Sequence, residues 1–419
     1  MDRDMPKPDR RRAQPPLADT AATDPRAARP VLADGCYLVY FNVTGLDEYV
    51  LEGTLRVETK DGQRFASGDL YRQPNNIYRL RQPIGGMTPP ERVTGIPSFP
   101  IKNYRYYLKA TQIEESEDSC NLVFEVHRFS TVSAETIEGL VTNWALEGIF
   151  TAQLTKTKAT DVPVGYPRPE LFFVGQVSNE VHTFGDIQIG WVSPLLRKAT
   201  LEIDSVPKSA PPRDNGAGLD WQKIFAAVGW DLEVSMSSND VTKPDGPVWT
   251  AADAHAALLA RRDRSDLDAE WRYYILAVEL IKYDGGERGV MYDKGSIDDV
   301  NQVSREGLMV SSDFVFPMTE ERWGKVRGKR AADTQTYFRT AVHELGHAMG
   351  LDHDRNGTAF MRPTDGIADV SGGAFPDNIT WGFSPLTERQ LRHWPDVVVR
   401  PGGLSYGAGP DAPLRGAGR

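Results

Sequence analysis

Through residues 31–190, apolar and polar positions alternate in short runs, at 37–43, 53–58, 104–110 and 122–128, separated by glycine, proline and asparagine turns. A period of two turns one face of a strand to a core and the other to water, so this stretch predicts an all-β domain, a barrel or a sandwich. The period then changes. Residues 201–206 read as strand, 220–228 as a short helix, 231–236 as strand again and 251–261 as a second helix. Tyr274, Ile275, Leu276, Ala277 and Val278 form a continuous apolar run suited to a central strand buried on both faces. Residues 289–292 and 307–316 add two strands. From 332 to 350, Phe338, Val342, Leu345 and Met349 recur at intervals of three and four, the spacing of one helical face. The expected fold is α+β, a twisted mixed sheet carrying that helix, preceded by the β domain.

The expected division is 31–190 for the β domain and 191–395 for the second domain, with the joint between Val181 and Pro194. The ends read as tails. The first thirty residues hold six prolines and six arginines, and nine of the nineteen residues from Pro401 are glycine or proline. Such composition supplies little apolar surface, so 1–30 is expected to be disordered and 396–419 flexible.

The chemistry concentrates in one segment. Only seven histidines occur in 419 residues, and three of them fall in the run from His343 through Glu344, His347 and Gly350 to His353. Four residues apart on a helix, His343 and His347 point the same way, so both imidazoles can share a metal ion. Glu344 stands beside that metal rather than on it. Gly350 can take positive φ and end the helix, which returns the chain and makes His353 the third ligand. Three histidines leave a fourth position for water, the arrangement of a catalytic zinc site rather than a closed structural one. Gly346, in the middle of the helix, costs roughly 1 kcal/mol relative to alanine, so something other than helix stability places it there.

This run resembles the extended HExxHxxGxxH motif of the metzincin metallopeptidases. The later segment Thr358-Ala359-Phe360-Met361-Arg362-Pro363 is similar to that family's methionine turn. The resemblance implies that Met361 forms an apolar floor beneath the ligands. It also implies that the strand before the active helix, with Leu308, Met309, Val310, Ser311 and Ser312 as candidates, lies antiparallel at a sheet edge and pairs with the substrate backbone. Asp354 after the third histidine looks adamalysin-like and the phrase around Met361 matrix-enzyme-like, so the subgroup stays open. The loop 365–382 would border a substrate pocket, which Phe375, Ile379, Trp381 and Phe383 either line or anchor. Ser384 followed by Pro385 starts a closing helix through His393.

Together these features predict a zinc-dependent endopeptidase acting on extended polypeptides, in which a zinc-bound water attacks the peptide carbonyl and Glu344 serves as general base and then general acid. Two alternatives remain. One is a non-catalytic binding or scaffold protein stabilised by zinc. The other is a latent peptidase with Asp354, Cys36 or an N-terminal carboxylate in the fourth position, although residues 34–37 lack the matrix enzymes' inhibitory propeptide pattern. Cys36 and Cys120 either pair or stay free. Calcium is a further candidate in the acidic stretch Asp284, Glu287, Asp293, Asp298 and Asp299, which has no EF-hand spacing. The net charge of −10 and the absence of a basic helix argue against nucleic acid. No stretch has the length of a membrane helix, and no apolar segment follows Met1, so the expectation is a monomer that is cytoplasmic or exported by another route.

Overall fold

The computed structural model describes residues 30–75, 95–135, 141–243, 246–282, 287–294 and 303–407. Eight antiparallel strands come first: β1 (Gly35–Val43), β2 (Tyr49–Lys60), β3 (Gln63–Pro74), β4 (Tyr104–Glu115), β5 (Ser119–Glu135), β6 (Val141–Lys156), β7 (Phe172–Ser178) and β8 (Thr183–Ser193). Each pairs with the next, and β8 returns to β1 in the register Val39↔Ile189, closing a barrel. Of the two all-β architectures left open by the alternation, the barrel is therefore the one formed. Its strands must bend sharply to close, and glycine makes that possible. A Cβ at Gly53 would lie 1.7 Å from the Asp69 carbonyl oxygen, and one at Gly185 would lie 1.9 Å from that of Asn42.

After the barrel come β9 (Arg197–Ser205), α1 (Trp221–Ala227), β10 (Trp230–Ser238), β11 (Val248–Trp249), α2 (Ala251–Arg261), β12 (Arg272–Val278), β13 (Leu280–Ile281), β14 (Gly289–Val290) and β15 (Gly307–Ser311). The sheet order is β10-β9-β12-β15-β14, parallel except for the last pair. Tyr274 to Val278 are buried at the centre of this sheet, as an apolar run without alternation requires. Then follow α3 (Gln335–Ala348), α4 (Thr364–Asp369), α5 (Pro385–His393) and α6 (Asp396–Val399). Phe338, Val342, Leu345 and Met349 pack α3 onto the sheet core beside Ile275 and Val310. The capping serine of α5 accepts the Thr387 N–H at 3.3 Å, with Pro385 in the first turn.

Four expectations need correction. Leu308, Met309, Val310 and Ser311 are not an antiparallel edge: β15 runs parallel to β12 and is covered on its other side by β14, with Ser312 also buried. The run is apolar because it is interior; the edge is the two-residue strand β14. The last barrel strand continues to Ser193, so the chain crosses between the two bodies at 194–196 rather than after 190. The stretch beginning at 365 opens with α4 rather than loop. Finally, residues 396–407 are not a free tail. Val397 and Val399 are buried, and the fully buried Arg305 donates to the carbonyls of Ala348, Val397, Val398, Arg400 and Leu404 at 2.6–3.2 Å. One arginine thus ties the end of α3 to a segment whose glycines hid its order. The expectations for 1–29 and 408–419 lie outside the described residues.

Barrel and α+β body meet through buried charge. Asp396, at the start of α6, accepts from Tyr71 at 2.7 Å and from Arg56 at 3.2 Å, and pairs with Arg197. Asp69 pairs with Arg56 at 2.6 Å and accepts the Asp396 N–H at 3.0 Å. Two carboxylates and two guanidiniums balance. Beside them, Ser67 and Glu58 hold the His393 ring at 2.9 and 2.8 Å. Burial works to raise the Glu58 carboxyl, but His393 and Arg392 outweigh it and hold it at about 2. On the strands of this face, outward residues carry the contact and inward residues the barrel interior. Cys36 and Cys120 are both buried and unpaired within the barrel.

Candidate metal centre

Helix α3 presents His343 and His347 one turn apart and then stops. Gly350 has φ 81°, and the Leu351 N–H returns to the Gly346 carbonyl at 3.0 Å, so the chain reverses as the glycine predicted. His353 arrives from the far side. The three Nε2 atoms stand 3.0, 3.1 and 3.2 Å from one another. Nitrogens about 2.0–2.1 Å from a tetrahedral zinc would be roughly 3.3 Å apart, so the set fits that ion with only a slight outward adjustment.

The outer nitrogens set the tautomers. His343 Nδ1 lies 2.6 Å from the Phe360 carbonyl oxygen, and His347 Nδ1 lies 2.8 Å from that of Leu351. A carbonyl only accepts, so each Nδ1 carries the proton and each Nε2 lone pair faces inward. Burial also favours the neutral ring: it lowers His343 well below the usual histidine range, takes His347 to about 4 and lowers the more exposed His353. Neutral imidazoles need lose no proton to bind a cation.

Met361 is fully buried, and its sulfur explains the glycine in mid-helix. A Cβ at Gly346 would lie 2.3 Å from the Met361 Sδ. The turn carrying Met361 is held by Arg339, a fully buried residue of α3 whose guanidinium donates to Phe360 O and Thr364 Oγ1, both at 2.7 Å. Nothing in the sequence singled out Arg339, because a lone arginine in a helix reads as surface. Asp354 is not part of the cluster; it accepts from the capping hydroxyl of Ser384 at 3.1 Å, and its N–H bonds the Met361 carbonyl at 2.9 Å.

The cluster lies in a cleft of about 320 Å³, walled by Gly289, Val290 and Met291 on one side and by Pro363, Thr364 and Asp365 on another. Glu344 projects into it, and its carboxylate accepts the Met291 N–H at 2.9 Å. Burial raises this carboxyl to about 7, against the opposing pull of that hydrogen bond; a bound cation would act in the lowering direction. Gly289 is needed for the fit: a Cβ there would come within 2.8 Å of Glu344 Cγ. Phe375 and Ile379 are buried in the sheet-and-helix core, and Trp381 and Phe383 pack against it; none of the four lines the cleft. Tyr406 does line it. Its hydroxyl is 3.1 Å from His347 Nδ1, and no sequence signal marked it. Glu287 also borders the cleft, whereas Asp284, Asp298 and Asp299 lie outside the described residues; Asp293 is buried and accepts the Glu306 N–H at 2.8 Å. Among the described residues, the three histidines are the metal-binding cluster found. No helix there is long and apolar enough to cross a membrane.

Residues 231–371 match the peptidase family M10, Matrixin. No curated protein and no solved structure matches the chain. The matched stretch runs from β10 past the methionine turn and contains all three histidines; this part of the chain is therefore a metzincin-type zinc metallopeptidase domain of the matrixin family.

Proposed function

We propose that this zinc endopeptidase domain cleaves extended polypeptides laid along β14, with Glu344 moving the proton. The observation that carries the reading is the placement of Glu344: it is buried in the cleft, next to the ligand His343 but outside the cluster, and oriented by the Met291 N–H. His343, His347 and His353 would hold the zinc, which would supply Lewis acidity to polarise the scissile carbonyl and acidify the attacking water. Glu344 then accepts a proton at its carboxylate as the carbon–oxygen bond forms, and returns it to the departing amine nitrogen as the carbon–nitrogen bond breaks. The Nδ1–H bonds to Phe360 and Leu351 keep the two helix imidazoles from rotating. Met361, packed against Gly346, supports them from below.

Support for the substrate path comes from the sheet edge. β14 has β15 on one side only, and in its register Val290 is the residue hydrogen-bonded toward β15, so the N–H and C=O of Gly289 turn to the open side and are available to an extended chain. This takes over the role that the sequence assigned to 308–312.

The test is Glu344→Gln. Glutamine keeps the size but cannot take the proton, so peptide hydrolysis should fall by about 10² to 10⁴ while zinc content persists. Mass spectrometry of a mixed peptide pool reads both rate and cleavage position. Equal rates for wild type and variant would remove Glu344 from the mechanism, and zinc retention without any cleavage by wild type would favour the scaffold or latent reading.

A further inference from the structure

The barrel interior is not uniformly filled. Toward the end near Val31 and Leu32 it is closed: Tyr37, Val57 and Phe173 are completely buried, and the Arg64 guanidinium, bonded to Asp34 and Glu115, covers the exit. Toward the other end the inward positions are equally apolar, yet Phe41, Val126, Phe150 and Val177 remain only partly buried. Between them lies a cavity of about 420 Å³, lined mainly by aliphatic and aromatic side chains. Eight strands enclose a lumen that side chains either fill or leave wide enough for one small ligand, and this barrel does the first at one end and the second at the other. The volume lies within the ordinary range of small-molecule pockets.

Neither existing partner surface explains the void. Among the described residues, the cavity shares no lining residue with the histidine cleft. Nor is it turned toward the peptidase domain. On β3, Asp69 and Tyr71 face outward into the contact with Asp396, whereas Leu70 and Arg72 line the lumen.

Charge at the mouth indicates which end of a ligand sits there. Among the described residues, Arg72, Arg105 and Glu147 are the charged ones lining the cavity. Glu147 is neutralised by Arg128, while among the described residues neither Arg72 nor Arg105 has a carboxylate partner. Arg72 is held with its guanidinium 4.0 Å over the Tyr49 ring, at the edge of the apolar lining. We propose that the barrel binds one amphiphilic small molecule, its aliphatic or aromatic body in the lumen and a carboxylate end at Arg72 and Arg105. The site is separate from the zinc centre and adds a ligand-binding activity to the peptidase chain.

The experiment titrates the full chain with dodecanoate and, separately, dodecanol, each read by displacement of the fluorescent probe anilinonaphthalenesulfonate. Saturable one-to-one displacement by dodecanoate is expected. Val177→Trp and Val126→Trp each place an indole in the lumen and should weaken dodecanoate binding at least about tenfold, with the barrel's circular dichroism and peptide hydrolysis retained. Arg72→Ala combined with Arg105→Ala should weaken dodecanoate by at least about tenfold and dodecanol little, the mark of a charge-assisted head-group contact. No saturable displacement by either compound, or unchanged affinity in both lumen-filling variants, would overturn the site. Equal loss for acid and alcohol in the double arginine variant would overturn the assigned carboxylate.

Discussion

The two halves of this protein make opposite use of their interiors. In the peptidase domain the centre is packed solid, with Leu345, Met349 and Met361 fully buried beneath the histidines, and the chemistry is carried by polar groups on that floor. In the barrel the lower lumen is packed in the same way, but the upper lumen is an apolar void, and the polar groups stand only at its rim. A peptidase needs a few atoms held rigidly, which dense packing provides. Room for a ligand needs the reverse: side chains stopping short of one another while the backbone hydrogen bonds of a closed barrel preserve the shape. The lesson is that burial alone says little about purpose; what matters is whether the buried surface meets other protein.

The contrast can be tested by changes that should reach one half and not the other. The largest effect expected is from His347→Ala, which removes one of three ligands. Elemental analysis should show most of the zinc lost and peptide hydrolysis should fall to background, with dodecanoate binding by the barrel intact. Loss of both activities together would mean that the halves are not independent.

Next is the joint itself. Asp396→Ala leaves Arg197 and Arg56 facing a buried gap, and breaking a buried pair in this way costs about 3–5 kcal/mol. Denaturant unfolding should show a lowered midpoint, and the barrel and peptidase signals, coincident in wild type, should separate. A change under about 1 kcal/mol would mean that the charge network contributes little to docking.

A smaller, pH-dependent effect is expected at Glu58. Its folded value of about 2 lies below the ordinary 4.5, so its contribution is complete above pH 4.5 and is lost as pH falls from there toward 2. After solvent screening this amounts to roughly 1–3 kcal/mol. Glu58→Gln should flatten the acid side of the stability curve in that window; an unchanged curve would exclude Glu58 as its source.

The smallest effect expected is from Tyr406→Phe. His347 Nδ1 already bonds the Leu351 carbonyl at 2.8 Å, so losing the hydroxyl should leave zinc content unchanged and alter kcat/KM by less than about tenfold. A loss comparable to that of Glu344→Gln would give the tyrosine a direct part in the reaction.

Much of the zinc centre was determined by the sequence alone, and the reason is range. His343, Glu344, His347, Gly350 and His353 span eleven residues, over which helical periodicity and one glycine reversal dictate relative position before any tertiary contact forms. The same is true of the alternating strands and the capped helix at Ser384. What only the tertiary structure decided depends on residues far apart in the chain. Alternation cannot tell a barrel from a sandwich, because closure rests on β1 meeting β8. An apolar run such as 307–311 is interior or edge according to which strand covers it, and β14 does. Arg339, Arg305 and Tyr406 have no motif; their partners are carbonyls and rings up to 99 residues away, as for Arg305 and Leu404. The lumen of the barrel is the extreme case. A cavity is defined by where side chains end, and that is set by eight strands at once.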